Sequence, residues 1–140
     1  MVDGGSEADR QRQVGRHRLT IEPPDLIYLH IDGDVDLEHI KAFVAAIREL
    51  PSSTKVYVLR DARKSGLITL RAREYVLKHV ESGRVGAFIS FGAPFHVRTM
   101  ITMIAKAVRL LRDGSLVVGF TDTEAEARAW IDRVRAGERT

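Results

Sequence analysis

The chain has no cysteine, so disulfides, thiolate metal sites and cysteine nucleophiles are excluded. It has no apolar run long enough to cross a bilayer, and "MVDGGSEADRQRQVGRHR" lacks the apolar stretch of a secretory signal. A cytoplasmic protein without a transmembrane segment is expected. Charge of one sign is also scarce: 22 Lys and Arg are scattered among 19 Asp and Glu, leaving a formal charge of +3. No basic stripe emerges, so a nucleic-acid partner is not expected. Missing too are the phosphate-cradling G-x-x-x-x-G-K-[ST], the G-x-S-x-G nucleophile elbow and the zinc-binding H-E-x-x-H. What remains is an ordinary globular composition over 140 residues, with 44% hydrophobic and 29% charged residues, the size of one domain with one core.

Residues 1–16 are nearly devoid of apolar side chains and read as a flexible tail, with a single domain over 17–136. "HRLTIE" reads as a strand ended by Pro23 and Pro24, and "DLIYLHIDGDV" as its antiparallel partner, alternating between Ile27, Leu29, Ile31 and Tyr28, His30, Asp32. Asp36 caps a helix whose face carries Ile40, Phe43, Val44 and Ile47. "KVYVLRD" is a strand and "ARKSGLIT" a polar loop. Thr69 caps the helix "LRAREYVLKHVES". "VGAFISFG", apolar on both sides, is a central strand. Pro94 opens a long helix, "FHVRTMITMIAKAVRLLRD", that Gly114 closes. "LVVGF" and a helix with a Thr123–Glu126 capping box complete the chain. The order ββαβαβαβα demands crossovers, and hence an α/β fold with a five-stranded, mixed but mostly parallel sheet.

With that order, the phrases "LTIEPPDLIYLHIDGDVDLEHI", "KVYVLRDARKSGLIT", "GAFISFGAPFHVRTMITMIAKAVRLLR" and "FTDTEAEARAWI" resemble the SpoIIAA-like branch of the STAS superfamily. These are small bacterial proteins also compared with CRAL-TRIO lipid carriers. The resemblance implies four helices wound along one side of the sheet, and binding or signalling rather than catalysis. In anti-anti-sigma factors of that fold, an Asp-Ser-Ser-Gly segment after the third strand carries a phosphorylated serine. Laid on this chain, its Asp falls at Thr69 and its serines at Leu70 and Arg71, neither of which bears a serine hydroxyl. The hydroxyls nearby are Ser65 and Thr69, so the usual phosphoserine switch is not expected.

Other chemistry has little support. Arg60, Arg63 and Lys64 could attract an anion but read as a solvated basic loop. Asp32, Asp34, Asp36 and Glu38 alternate like a calcium loop, yet Leu37 and Phe43 stand where the EF-hand requires glycine and glutamate. The five histidines (His17, His30, His39, His79, His96) lie on different elements. No catalytic residue, metal or cofactor is therefore expected, and the chain reads as a non-enzyme.

The long helix is more informative. Arg98, Thr102, Lys106, Arg109 and Arg112 gather in a sector of roughly 120°, leaving more apolar surface than the single stripe a sheet contact requires. Met100, Met103, Ile104, Ala107, Val108 and Leu111 are candidates for an apolar ligand or partner face. Two readings follow. One is a regulatory interaction module, with a protein partner or a homodimer. The other is a small CRAL-TRIO-like carrier of a lipid or other apolar molecule.

Overall fold

The structure, a computed structural model, describes residues 10–81, 83–111 and 115–137. Among them are six strands and four helices. The strands are β1 (Gln11–Val14), β2 (His17–Glu22), β3 (Leu26–Val35), β4 (Val56–Ile68), β5 (Val85–Phe91) and β6 (Val117–Thr121). The helices are α1 (Leu37–Glu49), α2 (Leu70–His79), α3 (Phe95–Leu111) and α4 (Glu124–Arg135). The strands form one sheet in chain order, antiparallel from β1 to β3 and parallel from β3 to β6. The α/β class and mixed sheet are as expected. The proposed end of α3 at Gly114, and residues 1–9 of the proposed tail, lie outside the described residues.

Three expectations need correction. The sheet has six strands rather than five, because Gln11–Val14 pairs with His17–Thr20 across the Gly15–Arg16 turn. Gly15 sits at φ +61°, the left-handed conformation that a two-residue hairpin with leading glycine exploits. The added strand is held from below, Val14 packing on the core and Arg12 pairing with Glu49 of α1.

The "polar loop" after Asp61 is instead the second half of β4, which pairs with β3 as far as Val35–Ile68. Register shifts between His30 and Asp32, and between Gly33 and Val35, absorb the polar residues as irregularities in a continuing ladder. Two contacts fix this extension. The Asp34 carboxylate accepts the Leu67 N–H at 2.8 Å, and Gly66 approaches so closely that a Cβ would lie 2.1 Å from the same oxygen.

The helices do not share one side. Because β3 to β6 follow one another in order, their three right-handed crossovers must all fall on the same face. That face carries Leu19, Ile27, Leu29, Ile31 and Val58 against Phe43 and Ala46 of α1, with Phe88, Val118 and Phe120 against Val97, Met100 and Ile101 of α3. The last helix closes no crossover and is free of the constraint. It covers the opposite face, where Leu26, Tyr28, Tyr57, Leu59, Ala87, Ile89 and Phe91 meet Ala127, Ile131 and Trp130.

Candidate functional site

The three crossover helices do not fill the face they cover. α1 seats Phe43, Val44 and Ala46, and α3 seats Val97, Met100, Ile101 and Ala105. α2, between β4 and β5, buries only Ala72 completely. Its Val76 and Leu77, with Val80 just past its end, are half-buried and line the space beneath, as Ile104 and Val108 of α3 do from the other flank. The space left is a cavity of about 170 Å³ floored by Leu29, Val58, Phe88 and Val118. Its walls are almost wholly apolar. The charged lining residues are Arg60, Arg73 and Glu81.

Arg60 sets this cavity apart from a packing defect. Its side chain belongs to the helix-covered face by strand alternation, in register with Leu29 and Ser90. Only 2% of the residue is exposed, and neither terminal guanidinium nitrogen has a hydrogen-bond partner among the described residues. Loss of hydration lowers its pKa to about 10, with no carboxylate to offset the effect, so it is still a cation at neutral pH. The Ser90 hydroxyl, fully buried in the neighbouring strand, is also unpartnered. Buried polar groups are nearly always satisfied in folded proteins, so such exceptions need a cause.

Arg84 supplies the contrast. It too is buried, yet its guanidinium donates to the Ile47, Leu50, Pro51 and Thr54 carbonyls at 2.7–2.9 Å, gathering acceptors at and just beyond the end of α1. The fold thus satisfies one buried arginine fully and leaves the other's terminal nitrogens unpaired. Arg73, at the α2 edge of the cavity, donates from Nε to the Ile68 carbonyl at 2.8 Å.

The residues singled out from sequence scatter around this centre. Ile104 and Val108 line the cavity, and Met100 is core, its sulfur accepting the Ile68 N–H at 3.2 Å. Ala107 is half-buried, while Met103 and Leu111 are 64% and 70% exposed. In the phospho-switch region Thr69 is the α2 cap, accepting the Ala72 N–H at 3.4 Å. Leu70 and Arg71 are exposed, and Ser65 is buried within β4 with an unpartnered hydroxyl. The sequence places Arg60 with Arg63 and Lys64 in a solvated basic loop. That assignment is wrong for Arg60, because β4 carries it under the helices. Its sequence signal was a charge at an inward position of "VYVLRD", two residues after Val58.

Several ionisable groups elsewhere have partners. The acidic run divides its labour: Asp32 pairs with Arg16 at 3.0 Å, Asp34 holds Leu67, and the Asp36 N–H donates to His39 Nδ1 at 3.0 Å. Among the described residues no group of three or more His, Asp or Glu is placed to hold a metal. His17 accepts the Asp32 N–H at Nδ1 and reaches the Asp34 carbonyl through Nε2, both at 2.9 Å, and burial lowers its pKa. On the opposite face Arg128 forks onto Glu22 at 2.9 Å, meets Glu124 at 2.8 Å and lies over the Tyr28 ring. Tyr28 donates to Glu124 at 2.8 Å and stacks on His30 with ring centres 4.0 Å apart. Burial chiefly, then Glu124, pushes the Tyr28 phenol up. This network clamps α4 to the sheet.

No family model and no curated protein matches the chain. Among solved structures it is similar to an uncharacterised protein of the DUF3478 family from Shewanella loihica PV-4, described as having a SpoIIAA-like fold. The two are 12% identical with a TM-score of 0.54, over 90% of this chain and 98% of that one. The fold of this chain is accordingly SpoIIAA-like. No described helix is long and apolar enough to cross a membrane.

Proposed function

We propose that this chain is a non-catalytic binding domain that carries or senses a small apolar molecule held between the sheet and helices α1 to α3. The supporting observation is the cavity itself, walled by Leu29, Phe43, Val76, Ile104 and Val108 and placed under the helix that packs least tightly. At about 170 Å³ it is smaller than the roughly 300 Å³ of a typical ligand pocket, which favours a compact cargo over a full-length lipid. An apolar cavity of about 150 Å³ stays dry and takes up benzene. Native mass spectrometry of protein purified gently from cells is expected to show a small bound mass at stoichiometric level, lost in Val108→Trp. Ligand-free protein, combined with unshifted Ile104 and Val108 methyl signals on titration with a small apolar probe, would refute the reading.

A second reading, a homodimeric interaction module, rests on a different feature. Leu67, Leu70, Phe95 and Met103 are large, apolar and more than half exposed. The Ile68–Met100 contact brings the end of β4 beside α3, where they lie. Sedimentation of wild type and Leu70→Glu tests it: a dimer that the substitution dissociates supports this module, and a monomer in both ends it.

A further inference from the structure

We propose that the cargo is an amphipathic monocarboxylate, its carboxylate held by the Arg60 guanidinium and its short hydrocarbon chain lying among the helices. This rests on the reading of the cavity as a ligand site, and adds what that reading leaves open, the chemistry of the ligand's polar end. Among the described residues both terminal nitrogens of Arg60 are buried without a partner, and the residue lines an apolar chamber. A guanidinium presents two parallel N–H groups that match the two oxygens of a carboxylate, the strongest geometry for such a pair. The Ser90 hydroxyl, on the next strand in register and equally unpartnered, is a neighbouring donor on the same sheet face.

Charge favours a monoanion. Among the described residues Arg60 and Arg73 line the cavity against Glu81 alone, and Glu81 is exposed while Arg60 is buried. One negative charge on Arg60 neutralises the interior. A phosphate dianion would bring a second charge into apolar surroundings at a large desolvation cost. The apolar walls then select for a tail, because each methylene removed from water adds to affinity. The volume limits the tail to a short chain or a single ring.

Calorimetric titration of the full chain with hexanoate, hexanol, hexylamine and acetate separates these elements. Wild type is expected to bind hexanoate at least tenfold more tightly than hexanol or acetate and to reject hexylamine. Arg60→Met, which removes a charge whose terminal nitrogens make no hydrogen bond among the described residues, is expected to lose at least tenfold for hexanoate while keeping hexanol. Equal binding of hexanoate and hexanol, unchanged in Arg60→Met, overturns carboxylate recognition and leaves the apolar site standing. Acetate binding as tightly as hexanoate overturns the role of the tail. Binding of none of the probes, in either protein, overturns both this inference and the function it rests on. Hexanoate affinity retained in Ile104→Trp, with the cavity filled, places the carboxylate elsewhere and also overturns it.

Discussion

Replacing Arg60 by methionine should make this protein more stable while depriving it of its ligand's anchor. In the folded chain the guanidinium is buried without a partner for its terminal nitrogens, and in the open chain it is hydrated. Burial lowers its pKa to about 10, and at about 1.4 kcal/mol per pH unit the gap from its ordinary value is worth about 3 kcal/mol of folding free energy. The sign follows from proton occupancy. The unfolded state holds the proton to higher pH, so the penalty is fully present at neutral pH and is relieved only as pH rises above about 10. Exchanging buried charges for apolar groups of similar volume commonly stabilises by about 1–4 kcal/mol, which brackets the same figure. Methionine is the suitable replacement, since its flexible chain adapts to an irregular cavity. For a chain of this size, at about 3 °C per kcal/mol, the melting temperature is expected to rise by up to about 10 °C. Urea denaturation should show a higher midpoint with an unchanged slope, the mark of a stability change alone. A variant that melts at or below wild type, with the same slope, would mean that Arg60 is already satisfied within the protein. The account of an anchor awaiting its anion would then be untenable.

The other buried arginine should behave oppositely: Arg84→Met removes the guanidinium bonds to four carbonyls at and just beyond the end of α1, and is expected to cost about 2–4 kcal/mol, read by chemical denaturation. Gly119→Val places a Cβ about where Trp130 lies, its ring carbon 2.2 Å from that position, so overpacking should cost about 1–3 kcal/mol and shift the emission of the single tryptophan. Thr69→Ala removes a long capping bond and should lower stability by about 0.5–1 kcal/mol with hexanoate affinity unchanged; lost affinity at unchanged stability would contradict the cap. The hydrogen bonds from Arg128 hold the Glu22 and Glu124 carboxyls below their usual range. Their contribution is present above the ordinary carboxylate pKa of about 4.3 and fades as pH falls through the lowered values. These groups are between a third and a half exposed, so the effect is below about 1 kcal/mol, and Arg128→Met should flatten that part of the acid limb.

From His17 onward the sequence was enough for the element order, because its signals are local. Alternation in "LIYLHI", the Thr123–Glu126 box and the apolar stripe of "AFVAAI" each depend on neighbours within a few residues. The structure keeps them as β3, the α4 cap and the buried face of α1. Where a local signal was weak, the reading failed. Gln11–Val14 has almost no apolar content and is a strand only because β2 and Glu49 wait beside it. The polar run Ala62–Ser65–Gly66 is a strand because β3 extends to meet it.

By itself the sequence determined a wound α/β chain with surplus apolar surface on one long helix and no assembled catalytic motif. The tertiary structure alone decided what that surface encloses. An arginine two residues beyond Val58 has the same local signature whether it faces water or a core. Its burial follows from three crossovers forced onto one face, a relation that does not exist until the strands are ordered.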